Sequence, residues 1–495
     1  MGVTNRASFA LGFESTPGVL PGTPTAVKYP LRGENFANPL TYEESGEFRD
    51  DRLTTPYDLT AEDCSGGFDV NMRCEMFDPL IAAAFYSSWG IAPTRDNAEG
   101  SYITGVTTSD DTYAVAAGGG TPFVAGQLAY AENFTDAANN GLKHATTGSS
   151  DTALVVTENL ADETPGGTAR VYVCGFYGAS GDISATSSGL ASSTLDFTTL
   201  TNLVVGGWIK IGATGAGNRF ATAALNTWAR VTAIDTNAVT LDNLPSGWTT
   251  DAGTSKTIHV FTTEILTIGD GSTKSTLHMQ KKLPISGGAY RYMNIYGLHP
   301  SLFRLNTTAR GRMIARFEYL GMRGETTGLV STPNVASPST PRKRIPLVSG
   351  RSFVRLHEGG GAFASTVSVP QINFQLQNQM VPTEDVTQYG YEDIDPAEAQ
   401  VQLSGNLNFK TESLFNKYRA STETSFSAVI QQATGSHLQG YVVEAITGLL
   451  TQSGIELSGP NQIITMPFTF TAHANEGSIT ANKQYAWHRA RYFEA

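Results

Sequence analysis

Gly67-Phe-Asp-Val-Asn-Met-Arg-Cys-Glu75 and Ser404-Gly-Asn-Leu-Asn-Phe-Lys-Thr-Glu412 carry one pattern twice, and that pattern decides the fold. Val70 and Met72 in the first fall where Leu407 and Phe409 fall in the second, the alternate positions that a β-strand turns inward. Each segment closes on a basic residue, Arg73 or Lys410, and a glutamate, Glu75 or Glu412. Each then enters a short helical stretch, Glu75–Ser87 or Thr411–Ala420. Asp78-Pro79 reads as cap and first-turn pair of the first, and Thr411 as N-cap of the second.

The correspondence continues downstream. Tyr292-Met-Asn-Ile-Tyr-Gly297 matches Val443-Glu-Ala-Ile-Thr-Gly448, and Ala315-Arg-Phe-Glu-Tyr319 matches Met466-Pro-Phe-Thr-Phe470, at one constant offset. Ser275-Thr-Leu-His-Met279 fits Ser425-Phe-Ser-Ala-Val429 within a residue or two. The order strand, helix, strand, strand, strand therefore occurs twice, and a repeated segment reports a repeated structural unit. Two homologous β-domains are expected.

The first copy is interrupted. Its helix ends near Trp89 and its next matching strand begins near Leu266, leaving about 175 residues as an insertion. The insertion is itself doubled: Val124-Ala-Gly-Gln-Leu128 aligns with Val204-Val-Gly-Gly-Trp208, Asn159-Leu160 with Asn243-Leu244, and Gly167–Val173 with Gly253–Val260. Turns at Asp235-Thr-Asn237 and Pro245-Ser-Gly247 separate its strands, which predicts two small barrels or sandwiches. The expected divisions are 1–92 and 264–326 for the first main domain, 93–178 and 179–263 for the inserted modules, 327–346 for a proline-rich linker, and 347–495 for the second main domain.

Composition agrees with strands joined by turns. The chain has 495 residues, too many for one compact core, with 40% apolar and only 16% charged residues and 51 glycines. Its net charge of −12 argues against gripping nucleic acid through phosphates. An acidic surface suits a conduit through which DNA slides, and it equally serves solubility alone. Cys64, Cys74 and Cys174 show no CxxC spacing and read as reduced thiols. No export signal is read at the N-terminus, and the longest apolar stretch, near Pro79–Tyr86, falls far short of the ~20 residues needed to span a bilayer.

No catalytic, cofactor or metal site is legible. The histidines, His144, His259, His278, His299, His357, His437, His473 and His488, lack metal-site spacing, and no GxSxG elbow, P-loop, HExxH or dinucleotide fingerprint occurs. Gly118-Gly-Gly120 and Gly359-Gly-Gly361 read as loop tips, Arg342-Lys-Arg344 as solvated linker charge, and Trp487–Phe493 as a packed strand. Two acidic stretches stand out, Glu43, Glu44, Glu47, Arg49, Asp50, Asp51 and Arg52 in the first copy and Glu384, Asp385, Tyr389, Glu392, Asp393 and Asp395 in the second. Paired carboxylates also serve acid–base chemistry or cation binding. Both stretches lie between an early strand and the strand leading to the helix, so a contact repeated by duplication is the reading favoured.

The pattern resembles the major tail tube proteins of long-tailed, siphovirus-type bacteriophages. The resemblance covers about 1–90 and 264–495 and rests on Gly12-Phe-Glu-Ser-Thr-Pro-Gly18, Pro21-Gly-Thr23, the strand–helix step Phe68–Ala84 and the closing Pro467-Phe-Thr-Phe470. It implies an all-β fold with minor helix: two tail-tube-type β-sandwich domains, the first interrupted by two tandem small β-modules. It further implies a virion structural protein that self-assembles into stacked rings, with stacking loops at Glu43–Asp63 and Gln377–Ala399, three chains imitating six, no cofactor and no membrane span. Its partners would be other copies of the chain, tail tip and terminator proteins, and a tape measure protein in the lumen, with DNA passing unbound. The alternatives are a phage or bacterial surface adhesin with glycan-binding modules, or a secreted glycan-processing enzyme. A tube protein polymerises; an adhesin stays dispersed and binds sugar.

Overall fold

The computed structural model describes residues 7–21, 25–51, 53–90, 92–100, 102–117, 121–308, 311–325, 329–331, 335–338, 342, 344–345, 353–358, 370–408, 412–434, 437–455, 463–473 and 485–494. The protein is mostly β, with two short α-helices and sheets of seventeen, ten, three and two strands. Outside residues 94–262 the strands used below are β1 (Ser8–Phe13), β2 (Leu31–Glu34), β3 (Leu40–Glu44), β4 (Tyr57–Glu62), β5 (Cys64–Asn71), β6 (Leu277–Pro284), β7 (Tyr290–Thr308) and β8 (Ile314–Gly321). They continue as β9 (Phe353–Glu358), β10 (Gln371–Glu384), β11 (Tyr391–Asn408), β12 (Thr424–Thr434), β13 (His437–Ser453), β14 (Thr465–Ala472) and β15 (Tyr485–Phe493).

Two antiparallel ladders run through this set. The first is β1–β6–β7–β8–β5–β2 and the second β9–β12–β13–β14–β11–β10. They agree in register as well as order. Phe13 faces Leu277 and Leu277 faces Leu298 in the first, as Glu358 faces Thr424 and Thr424 faces Gly448 in the second. Leu320 faces Ser65 and Asp69 faces Gly33, as Thr471 faces Gln402 and Asn406 faces Gln371. Register breaks also correspond, at Leu277/Met279 and Thr424/Phe426, and at Pro300/Leu302 and Leu450/Gln452. By this register Gly448 corresponds to Leu298, so matching it to Gly297 from sequence was one residue out. Met279 corresponds to Phe426, three residues from the match read in sequence. The bulges are shared by the two copies, so the mismatch comes from the connections: residues 285–289 join β6 to β7, whereas only 435–436 join β12 to β13.

The ladders are not separately cored. Strand β7 pairs with β6 and β8 and also, from Leu302 to Thr308, with β10 of the second ladder. One apolar cluster accordingly draws on both, including Phe68, Phe77, Phe303 and Phe317 from the first and Phe374, Leu403, Phe470 and Trp487 from the second. Each such side chain, fully buried, contributes roughly 1.5–3 kcal/mol. Alternation explains the placement: in β8 Ala315, Phe317 and Tyr319 are buried while Arg316 and Glu318 on the other face are partly exposed.

The helices are shorter than the sequence predicts. Helix α1 spans Asp78–Ala84 with Phe77 at the N-cap, so Asp78 stands inside the first turn, and α2 spans Ser413–Arg419 with Glu412 at the N-cap. Thr411, and half of 327–346, lie outside the described residues, as do Gly118-Gly-Gly120 and Gly359-Gly-Gly361. A seven-residue helix is marginal alone, and α1 is held by burying Leu80, Ile81, Ala83 and Ala84. Asp78 lies inward to receive Arg489 Nη1 at 2.6 Å and the Tyr441 hydroxyl at 2.5 Å.

Residues 94–262 carry their own sheets and two of their own cores, one from Ala92 to Val173 and one from Phe176 to Val260. Their ten-stranded sheet is continuous because Arg170–Tyr177 pairs antiparallel with His259–Thr262. A further apolar cluster seats that sheet on β12, β13 and β15, with Tyr130 stacked on Tyr492 at 4.4 Å and Trp228 against Phe493 at 5.0 Å. Beneath it Glu444 is buried. Burial raises the cost of its charge, but Arg230 at 2.7 Å, His488 at 3.3 Å and the Trp208 indole at 3.0 Å hold its carboxyl below the usual range. Glu444→Ala is therefore expected to lower unfolding free energy by about 3 kcal/mol, since it strips acceptors from a buried arginine and indole. Urea denaturation checks this, and a loss within 0.5 kcal/mol of zero, about the level of an ordinary surface substitution, would contradict it.

Candidate assembly surface

Two hairpins carry the acidic stretches singled out in the sequence. β3–β4 places Glu43 and Glu44 on a strand and Glu47, Arg49, Asp50 and Asp51 in the turn region; Arg52 lies outside the described residues. Inside this tip Arg49 pairs with Asp51, Asp51 accepts from Leu53 N at 3.1 Å, and Glu44 accepts from the Thr55 hydroxyl at 2.9 Å. Phe48 and Leu53 nonetheless stand fully or largely in solvent.

The second hairpin, β10–β11, is longer. Residues 377–384 and 391–399, read as loop from the sequence, are strand, and the tip is only 385–390. Glu384 is at the end of β10, Asp385 caps the turn by accepting from Thr387 N at 2.6 Å, and Tyr389 and Val386 are exposed. Glu392, Asp393 and Asp395 follow on β11. The two hairpins meet: Glu62 N donates to Tyr389 O at 2.8 Å, and the Tyr391 hydroxyl donates to Asp63 at 2.9 Å. Lys274, which the sequence reading missed, bridges Asp393 at 2.5 Å and Asp395 at 2.6 Å. Burial pushes the Asp393 carboxyl up, and the Lys274 contact outweighs it, holding the carboxyl below its usual range.

Between the hairpin bases runs the outer face of the joined ladders. Successive strands present Asp69, Arg316 and Glu318, then Arg304 and Asn306, then Asn373, Gln375 and Gln377, then Gln402, Ser404 and Asn406, then Thr469 and Thr471. Arg316 on this face is paired with carboxylates, lying 2.5 Å from Glu318 and 3.4 Å from Asp69. Arg304 reaches across the β7–β10 junction to Gln375 Oε1 at 2.8 Å. The arrangement is a wide polar wall of amides and hydroxyls with little free charge.

No catalytic constellation accompanies it. Among the described residues no three metal-type side chains gather. His144 and His259, far apart in sequence, do come together, with Nε2 atoms 3.0 Å apart and His144 Nδ1 at 2.5 Å from Glu158. Burial and His144 push His259 down to about 4. Cys64, Cys74 and Cys174 are free and buried, and burial pushes all three thiols up. No helix among the described residues is long and apolar enough to cross a membrane.

The Lys274 bridge generates a pH expectation. Asp393 is depressed in the folded state, so its contribution is present above the ordinary carboxylate range and fades as pH falls through the depressed value. Both carboxylates are well exposed, which limits the gain to less than about 1 kcal/mol. Lys274→Ala is expected to raise amide exchange at 391–395 at pH 7 and to leave it unchanged at pH 2; equal exchange in variant and parent at pH 7 would refute the bridge.

Against known proteins, a family model described as phage tail tube protein matches residues 4–472. No curated protein matches the chain.

Proposed function

The chain belongs to the phage tail tube protein family, a non-enzymatic structural component of the virion tail, and on that premise we propose that it is a duplicated, siphovirus-type subunit. Each chain supplies two tube domains, 1–92 with 264–326 and 347–495, joined by the linker 327–346. Three chains close a ring that imitates six, and rings stack through the two hairpins into a conduit for DNA. The modules 93–178 and 179–263 decorate its outside.

The observation that carries this reading is the agreement of the two ladders in order, register and bulges, together with their direct pairing through β7 and β10. A sheet with two like halves joined head to tail is one segment of a cyclic arrangement, and closed rings are the usual solution for heterologous contacts. The polar face of that sheet supports the lumen assignment. Two arginines balanced by two carboxylates among neutral amides give DNA phosphates neither a cationic grip nor a strong repulsion.

Stacking falls to the hairpins because they extend beyond the joined sheet and expose Phe48, Leu53, Val386 and Tyr389 at their tips. Apolar side chains left in solvent in one subunit are covered where a neighbour docks. Glu43, Glu44, Glu47, Arg49, Asp50, Asp51, Glu384, Asp385, Tyr389, Glu392, Asp393 and Asp395 are the contact residues proposed around them. Terminator and tip proteins would meet the same surfaces at the ends of the tube, and a tape measure protein the polar wall inside it.

Negative-stain microscopy with averaging down the tube axis tests the count: six inner lobes carrying three outer projections are expected, and six projections would replace three chains by six. Phe48→Asp with Val386→Asp is expected to leave rings and abolish stacks, read by sedimentation. Tubes of parental length from that variant would move stacking elsewhere.

A further inference from the structure

Resting on the ring reading above, the structure also identifies the two strand edges that join one chain to the next. The internal junction pairs Leu302–Thr308 of β7 with residues 377–371 of β10, in order. In the matched ladders β13 stands where β7 stands, and the segment from β2 to Pro39 stands where the start of β10 stands. Within one chain, neither of these counterparts has a second strand neighbour among the described residues: β2 pairs with β5 alone, and β13 beyond Gly448 with β14 alone.

We propose that a second copy of the chain fills this gap by antiparallel pairing of Gln452–Ile455 of one chain with Phe36–Pro39 of the next. Carrying the internal register across sets Ile455 opposite Phe36 and Gly454 opposite Ala37, as Leu305 faces Phe374 and Arg304 faces Gln375. Burial agrees. Leu305 is 2% exposed in the closed junction, whereas Ile455 at the open one is 44% exposed, an apolar side chain waiting for cover. Phe36 and Phe374 already occupy the same core-facing position, at 4% and 5% exposure.

The free edge is also guarded. Glu34 accepts from Phe36 N at 3.1 Å, Lys281 donates to Phe36 O at 3.3 Å, and the two side chains pair at 2.8 Å. This clasp occupies the outward peptide groups that a neighbouring strand would use, a device against edge-to-edge association. At the junction closed within the chain the corresponding residues are Ile372 and Ala428, which can make no such clasp. The clasp therefore sits only where an edge must stay unpaired until a ring forms, and the neighbour's backbone displaces it.

Ala37→Cys with Gly454→Cys tests the register. A Cβ at Gly454 meets nothing within 4 Å, and the native thiols are buried. Opposed residues of an antiparallel pair lie about 4.5–5.5 Å apart, within disulfide reach. Oxidised tubes are expected to give disulfide-linked dimers and trimers and nothing larger, and intact tubes without cross-links overturn the junction while leaving the tube reading in place. Parent protein that forms no tubes would instead defeat the tube reading. Ile455→Asp, at an exposed site, is expected to fold with an unchanged Tm yet close no rings; parental assembly overturns the proposal. Glu34→Ile with Lys281→Ala is expected to assemble at several-fold lower concentration than the parent, and assembly no readier than the parent's overturns the clasp.

Discussion

The architecture depends on one strand that changes neighbours along its length. Tyr290–Thr308 pairs with β6 in its first half and lies between β8 and β10 in its second. Such a change requires a bend, which Gly297 and the break at Pro300/Leu302 provide. Gly297 has a φ of +64°, and an added Cβ would come within 2.5 Å of the Met322 side chain, so glycine is required there on both counts. Because the second half of this strand belongs to both ladders, their cores fuse. Phe303 contacts Phe317, Phe374 and Trp487 with ring centroids 5.0, 6.0 and 4.9 Å away, so one side chain packs against both halves of the chain.

A second constraint is ionic. Glu75 and Asp78 beside α1, Glu264 after the inserted segment, and Arg489 and Arg491 on the last strand form a buried cluster, joined by Arg170 from the insertion and Arg342. Burial opposes charge on Glu75, but Arg170 and Arg342 outweigh it and hold the carboxyl at about 2. Charges removed from water in this way tolerate little error, because each lost partner leaves another uncompensated. Residues 94–262 are thus fastened to the remaining strands by charge as well as by the aromatic seat on β15.

Local chemistry was legible in the sequence, and long-range pairing was not. Alternation in Gly67–Asn71 and Ser404–Asn408 marks both strands before the helices, and the acidic runs mark both hairpins, because these signals lie within ten residues of each other. Lys274 carries no local signal because Asp393 lies 119 residues away, and Asp78 has the local pattern of a cap because its partner Arg489 lies 411 residues away. His144 and His259 looked unrelated for the same reason, at a separation of 115. In Gln371–Gln377 the alternation of Ile372, Phe374 and Leu376 with amides was readable as strand, but its acidic continuation drew the eye to a loop. The shorter helices follow from weak signals: α1 has no side-chain cap and is held by tertiary contacts, its buried apolar face and Asp78 on Arg489.

The position of β15 has a consequence for how the protein comes into being. Trp487 fills the shared core and Arg489 neutralises Asp78, yet both come after the other described strands in chain order. During synthesis α1 and the fused core must wait, with an acid and several aromatic rings unsatisfied, for residues nearly the length of the chain away. Contacts of such separation make folding slow and leave apolar surface exposed in the interval. A chain cut short before this strand would lack both the indole and the guanidinium, leaving a hole in the shared core and a buried carboxylate without its cation.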